Sequence, residues 1–284
     1  MKHIFLNLKR FDITKEYGGV NSLAELPEWA SYIIKNTQEG LKKYRKEEVE
    51  FIHFFPEAHL MNAVEALEKD SPVMIGSQGV YREDAAVGGN FGAFTTNRTA
   101  SVVKAMGCGA TLIGHCEERN DKKGVLKKAG IWDPIAVNGL LNEEILCAQA
   151  AGLKVLYCIG ESAKEQERWK EVLGEQLETG LKGVDKEGVV IGYEPIWSIG
   201  PGKTPAGKEY ITEIARFIKE KTGGMDVVYG GGLKADNAKM LASIEEIDGG
   251  LIALTHFSEN IGFYPEEYLE IVHLYLGEQG GEGE

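Results

Sequence analysis

The chain has 284 residues, with 31 Lys+Arg against 44 Asp+Glu and a formal net charge of −13. Hydrophobic residues at 43% and charged residues at 26% give the balance of a globular protein, not of a disordered or fibrous one. The acid excess offers no footing for sequence-independent nucleic-acid binding or a basic membrane-surface patch, since both need clustered Lys and Arg. No apolar run approaches the roughly 20 residues that cross a bilayer. Residues Met1 to Leu6 enter a strand-like segment at once, which argues against a signal peptide. Cys108, Cys116, Cys147 and Cys158 contain no C-x-x-C pair, and their spacing suits neither a zinc site nor a disulfide framework. The expectation is a cytoplasmic protein with reduced thiols and no metal, nucleic-acid partner or membrane contact.

In chain order, short apolar runs bounded by turn residues predict strands over residues 4–8, 50–55, 73–77, 111–114, 154–159, 189–194, 227–230 and 250–254. Amphipathic stretches between them, such as 60–67, 98–106, 142–151, 164–181, 208–221 and 236–241, predict helices. Strands alternating with helices favour a parallel sheet with right-handed crossovers, and eight strands allow closure into a (β/α)₈ barrel. No Pro/Ser-rich linker or composition shift divides the chain, so residues 1–276 are expected to form one barrel domain. The Gly/Glu-rich tail 277–284 has almost nothing to bury and is expected to be disordered. Three stretches exceed what a minimal βα unit needs: 11–30, 82–91 and 122–138. The last is read as a loop insertion with Gly130 and Pro134.

In such a barrel the reacting groups lie at the C-terminal ends of the strands and in the loops that follow. That rule selects Asn7 and Lys9 after the first strand, His115 and Glu117 after the fourth, Glu194 at the end of the sixth, and residues 230–232 after the seventh. Each has a plain structural alternative. Lys9 could be a solvated surface residue, and His115 a capping group. Glu194 is harder to dismiss, because it ends the apolar run Val189-Val190-Ile191-Gly192-Tyr193 and precedes Pro195. A carboxylate at the rim of a dry interior should have a raised pKa, as suits a general base. His115 precedes Cys116-Glu117-Glu118-Arg119, which reads as a first helical turn whose free N–H groups disfavour a charged ring.

The segments Asn7-Leu8-Lys9, Ile113-Gly114-His115-Cys116-Glu117-Glu118-Arg119 and Tyr193-Glu194-Pro195-Ile196-Trp197 through Pro205 resemble the signature segments of the triosephosphate isomerase family. Gly92-Ala93-Phe94-Thr95, Cys158-Ile159-Gly160-Glu161 and Tyr229-Gly230-Gly231 support the likeness, in family order, from residue 7 to about residue 250. The resemblance implies an aldose–ketose isomerase acting through an enediolate without cofactor. In it Glu194 would move a proton between adjacent carbons, and His115 would polarise the carbonyl. Lys9 would face the developing oxyanion with Asn7 beside it, and Glu117 would orient Lys9. Residues 195–205 would form a lid, with Gly200 offering a backbone N–H to a phosphate. A P-loop reading of Gly202-Lys203-Thr204 fails because Trp197 stands where that motif needs glycine.

Two departures from the family pattern bear on the substrate and on assembly. The loop after the last strand normally holds phosphate on a Gly-Gly pair, which here reads Ala253-Leu254. The serine expected after Tyr-Gly-Gly is Gly232, a mild change because the donor is a backbone amide. An inter-subunit Glu–Arg pair is replaced by Asn97 and Glu118 together. Thr95 and residues 78–94 match the loop that reaches a second subunit, so a homodimer is the default. The substrate-binding set is thus Asn7, Lys9, Gly200, Gly232, Ala253 and Leu254, for a small sugar phosphate. Three functions follow: isomerisation of triose phosphates; the same chemistry on another ketose or its phosphate, such as a tetrulose phosphate; or a catalytically silent binding barrel. Retention of Lys9, His115 and Glu194 argues against the third.

Overall fold

The computed structural model describes residues 1–198, 203 and 205–277. Eight parallel strands close into a barrel in sequential order: β1 (Lys2–Asn7), β2 (Val49–Phe55), β3 (Val73–Ser77), β4 (Ala110–Ile113), β5 (Lys154–Ile159), β6 (Val189–Tyr193), β7 (Val227–Tyr229) and β8 (Gly249–Ile252). The ring is completed by β1 on β8, with Ile4 opposite Gly250 and Phe5 opposite Leu251. Outside it run α1 (Trp29–Leu41), α2 (Leu60–Glu65), α3 (Ala100–Ala105), α4 (Cys116–Lys128), α5 (Pro134–Ala150), α6 (Trp169–Gly180), α7 (Lys208–Thr222), α8 (Ala238–Ala242) and α9 (Pro265–Leu276). The expected (β/α)₈ barrel is the observed fold. Among the described residues no helix is long and apolar enough to cross a membrane.

The strands were readable because both of their faces are buried, which makes each a nearly unbroken apolar run. Phe5, Ile52, Phe54, Leu112, Leu156, Cys158, Val190, Val228 and Leu251 fill the barrel interior. Their neighbours along each strand, such as Ile4, Leu6, Ile75, Tyr157 and Ile191, join the layer beneath the helices. The helices answer with stripes at a spacing of three and four residues. In α7 these are Ile211, Ile214, Ala215 and Ile218, and Gly223 stops the helix in the left-handed region at φ 75°.

One expectation is corrected. Residues 122–138 are not a loop insertion; they lie mostly in α4 and α5. Glu117 and Glu118 in the first turn of α4 and Lys127 and Lys128 in its last complement the helix dipole. Gly130, at φ 75°, ends the helix with its N–H on the Lys127 carbonyl. Asp133 then caps α5 by accepting from the Ala136 N–H, with Pro134 in the first turn. Gly130 and Pro134 therefore punctuate two helices, leaving a short connection between them.

Packing inside the barrel uses the space left by glycine at Gly76. A Cβ at Gly76 in β3 would stand 2.5 Å from Phe54 Cδ1 and 2.6 Å from its Cε1, so the Phe54 ring occupies the space that glycine leaves. Gly76→Val should lower stability by about 1–3 kcal/mol through overpacking, measurable as a reduced urea midpoint at unchanged m-value. A wild-type midpoint would contradict this packing.

Candidate active site

Asn7, Lys9, His115, Glu117, Glu194, Gly232, Ala253 and Leu254 all fall at or just after the C-terminal end of a strand, at one mouth of the barrel. Gly200, with residues 199, 201, 202 and 204 of the expected lid, lies outside the described residues. Three groups from β1, β4 and β6 converge. Glu194, 2% exposed, places Oε1 3.1 Å from His115 Nε2, while its Oε2 accepts from the Cys116 N–H at 2.9 Å. His115 Nδ1 accepts from the Glu117 N–H at 3.3 Å. With Nδ1 occupied as an acceptor, the ring's proton is on Nε2, the nitrogen 3.1 Å from the carboxylate. The link to Lys9 runs through Glu117, whose Oε1 is 3.5 Å from Lys9 Nζ.

Each position has a local cause. His115 is the N-cap of α4, so the free N–H groups of the first turn face both its ring and Glu194. The turn before it is held by Gly114, at φ 80°, and by Arg119, which is buried and donates to the Gly114 and Cys158 carbonyls, Asn138 Oδ1 and the Tyr157 hydroxyl. Gly230 makes room for Glu194: a Cβ there would stand 2.8 Å from its Cγ. Lys9 has φ 41°, uncommon for a residue with a side chain and costing on the order of 1 kcal/mol. That conformation is held on both sides. The Lys9 N–H donates to Asn7 Oδ1 at 3.0 Å, and Gln78 Nε2 donates to the Lys9 carbonyl at 3.0 Å.

Burial raises the Glu194 pKa, opposed by His115, the Cys116 N–H, Lys9 and Arg119. Burial and the Glu194 charge push the Cys116 thiol up to about 12, so at neutral pH this sulfur stays protonated and is a poor nucleophile. His115, Cys116 and Glu194 bring possible ligand atoms within 4.8 Å of one another. A metal ion there would have to displace the N–H groups now on Glu194 and His115 and deprotonate the thiol. The arrangement suits proton transfer: a buried carboxylate as acceptor, an imidazole N–H as donor, and an ammonium to stabilise negative charge.

Reading strand ends alone misses the support beneath the lid. Glu161, after β5, is fully buried, and its Oε1 accepts from Tyr193 (3.0 Å), Trp197 Nε1 (2.7 Å) and Tyr210 (2.9 Å). Its carbonyl also accepts from the Ile196 N–H at 3.2 Å. Burial pushes the Glu161 pKa up despite these donors. The turn following Glu194 is thus pinned from below by one carboxylate. Glu118, expected to lack its inter-subunit partner, is satisfied within the chain by the Gly114 N–H (2.6 Å) and Lys122 (2.8 Å), and Lys122 also reaches Glu144 at 2.8 Å.

Fold and site together define a (β/α)₈ barrel with an acid–base cluster at the C-terminal mouth of its strands. A family model described as triosephosphate isomerase matches residues 25–261. The triosephosphate isomerase of Leptospira interrogans is 30% identical over 240 residues, spanning 78% of this chain and 87% of its own length. That of Chlorobium luteolum is 35% identical over 199 residues, spanning 66% and 72%. A crystal structure of triosephosphate isomerase from Bartonella henselae shares the fold, with a TM-score of 0.71 at 23% identity over 97% of this chain and 99% of that one. The chain belongs to the triosephosphate isomerase family.

The Glu194 environment has a consequence for stability. Its pKa is raised in the folded state, so the group favours folding fully below its unfolded value near 4.5, and this is lost as pH rises through the folded value. At neutral pH the fold holds a carboxylate that burial disfavours. Glu194→Gln should therefore melt at or above the wild-type temperature at pH 8, with the gap closing toward pH 4.5. A Gln variant that is less stable at pH 8 than at pH 5, relative to wild type, would contradict it.

Proposed function

We propose that the chain is an aldose–ketose isomerase interconverting glyceraldehyde 3-phosphate and dihydroxyacetone phosphate through an enediolate. The observation that carries this reading is the buried Glu194 carboxylate held 3.1 Å from His115 Nε2, with Lys9 linked to the same helix start through Glu117. Substrate entering between them would displace the direct Glu194–His115 contact. Glu194 then takes the proton from the carbon next to the carbonyl, and the C–H pair flows into the enediolate as the carbonyl oxygen accepts a hydrogen bond from His115. The Lys9 ammonium stabilises negative charge on that oxygen. Glu194 returns the proton to the neighbouring carbon, and His115 shuttles protons between the two oxygens, so the net change is one of isomer only. Preorganised charge of this kind in a water-poor site is the largest expected contribution to rate.

The Ala253-Leu254 pair favours a second substrate for the same chemistry. Side chains stand where the family's glycines let a phosphate approach the backbone, which supports a differently anchored or longer ketose phosphate such as a tetrulose phosphate. The assembly we infer is a homodimer in which a second copy covers the loop around Thr95. Its support is the exposure of Thr95 and of Val87 and Phe91, the latter 92% exposed. We place the protein in the cytoplasm on its composition.

The test is turnover of triose phosphates against tetrulose phosphates by the purified protein. Glu194→Asp retracts the carboxylate by one carbon and should cut kcat about a hundredfold with KM nearly unchanged. Wild-type kcat in that variant would remove Glu194 as the base, and no turnover of either substrate class by the native protein would favour a binding role.

A further inference from the structure

We propose that Lys234 is the cation that holds the phosphate end of the substrate; this rests on the reading of a phosphorylated substrate above. Lys234 lies in the loop after β7, and that loop runs alongside the base. A Cβ at Gly230 would stand 2.8 Å from Glu194 Cγ, one at Gly231 3.0 Å from Pro195 Cγ, and one at Gly232 3.4 Å from Lys234 Cε. The lysine stem therefore lies over Gly232, two residues along the loop from the glycine that packs on the carboxylate. Its ammonium ends 4.2 Å from the centroid of the Phe257 ring, in the loop after β8. It spans from the β7 loop to the β8 loop, the loop that also carries Ala253 and Leu254.

Two features separate this lysine from an ordinary surface cation. First, it forms no ion pair among the described residues, whereas Lys9, at the same mouth, is paired with Glu117. An aromatic face orients an ammonium without cancelling its charge, and Phe257 is itself 48% exposed, so the charge stays available to an incoming anion. Second, the backbone beneath it is fixed. The Lys234 N–H donates to Asn237 Oδ1 at 2.8 Å, Asn237 Nδ2 donates to the Gly232 carbonyl at 2.9 Å, and the Leu233 N–H donates to the Leu251 carbonyl at 2.9 Å. A chain with net charge −13 would need local positive charge to draw in a phosphate dianion.

The site thereby divides its two lysines. Lys9, in a strained turn and tied to Glu117, serves the reacting oxygens, and Lys234, on a flexible stem over Phe257, serves the far end. A lysine binds phosphate as a mobile point charge, without the fixed geometry of an amide cradle. Such an anchor accommodates a substrate one carbon longer than a triose.

The experiment uses Lys234→Met, which keeps the apolar stem on Phe257, and Lys234→Arg, which restores the charge. Binding of inorganic phosphate is measured by calorimetry, and KM and kcat are measured for glyceraldehyde 3-phosphate and for a tetrulose phosphate. The Met variant should weaken phosphate binding and raise KM by about tenfold to a hundredfold, with kcat changed much less, and the Arg variant should recover most of the loss. Phosphate affinity and KM equal to wild type in the Met variant, or a wild type that binds no phosphate, would overturn the assignment. So would a kcat loss that Arg does not rescue. Phosphate binding that depends on Lys234 in a protein turning over neither sugar would uphold the anchor and defeat the isomerase reading.

Discussion

The 3.1 Å approach of His115 Nε2 to Glu194 Oε1, with the Cys116 N–H on the other carboxylate oxygen, is the contact from which the rest of the mouth takes its order. It requires a carboxylate at the end of β6 and an imidazole at the end of β4 to meet across strands that are not adjacent in the ring. It also requires the His115 ring to carry its proton on Nε2, which the Glu117 N–H secures by occupying Nδ1. A helix start therefore sets the tautomer and supplies the donor for the carboxylate. The same helix start reaches Lys9 through Glu117. One α-helical terminus thus gathers an imidazole, a carboxylate and an ammonium that come from three strands.

The barrel supplies what a helix start alone cannot. Its closed hydrogen-bonded ring fixes the relative height of the strand ends, and its apolar filling excludes water below them. Features that cost stability collect at the mouth: a buried carboxylate, a lysine at positive φ, and a buried guanidinium on backbone carbonyls. Each is offset by specific neighbours. Asn7 and Gln78 hold Lys9, Tyr157 and Asn138 complete the hydrogen bonds of Arg119, and Glu161 gathers Tyr193, Trp197 and Tyr210 under the turn that follows Glu194. The positions of Lys9, His115 and Glu194 are held by hydrogen bonds from residues around them.

Much of this was legible in the sequence, for identifiable reasons. Strands buried on both faces read as apolar runs, so the eight strands were found with boundaries within a residue or two. The strand-end rule then selected Lys9, His115 and Glu194 without geometry. What escaped was of two kinds. Only the first turn of α4 is legible; the helix is polar around most of its surface, with Arg119 its buried residue, so the rest lacks the apolar stripe that announces a helix. Gly130 and Pro134, which end one helix and begin the next, were read as loop residues for the same reason. Contacts such as Glu161 with Tyr193, Trp197 and Tyr210, or Lys234 over Phe257, join elements whose meeting only the closed barrel dictates. No local spacing encodes them.

If a single carboxylate relays the hydrogen between neighbouring carbons, that hydrogen becomes exchangeable with solvent while it resides on Glu194. Isomerisation in deuterium oxide, followed by NMR of the sugar product, reads this directly. Product bearing solvent deuterium at the carbon that received the proton is the result expected of proton transfer through an enediolate. Complete isomerisation with no deuterium in either product or recovered substrate, at any extent of reaction, would mean that the hydrogen never reaches an exchangeable site and would contradict the role given to the carboxylate.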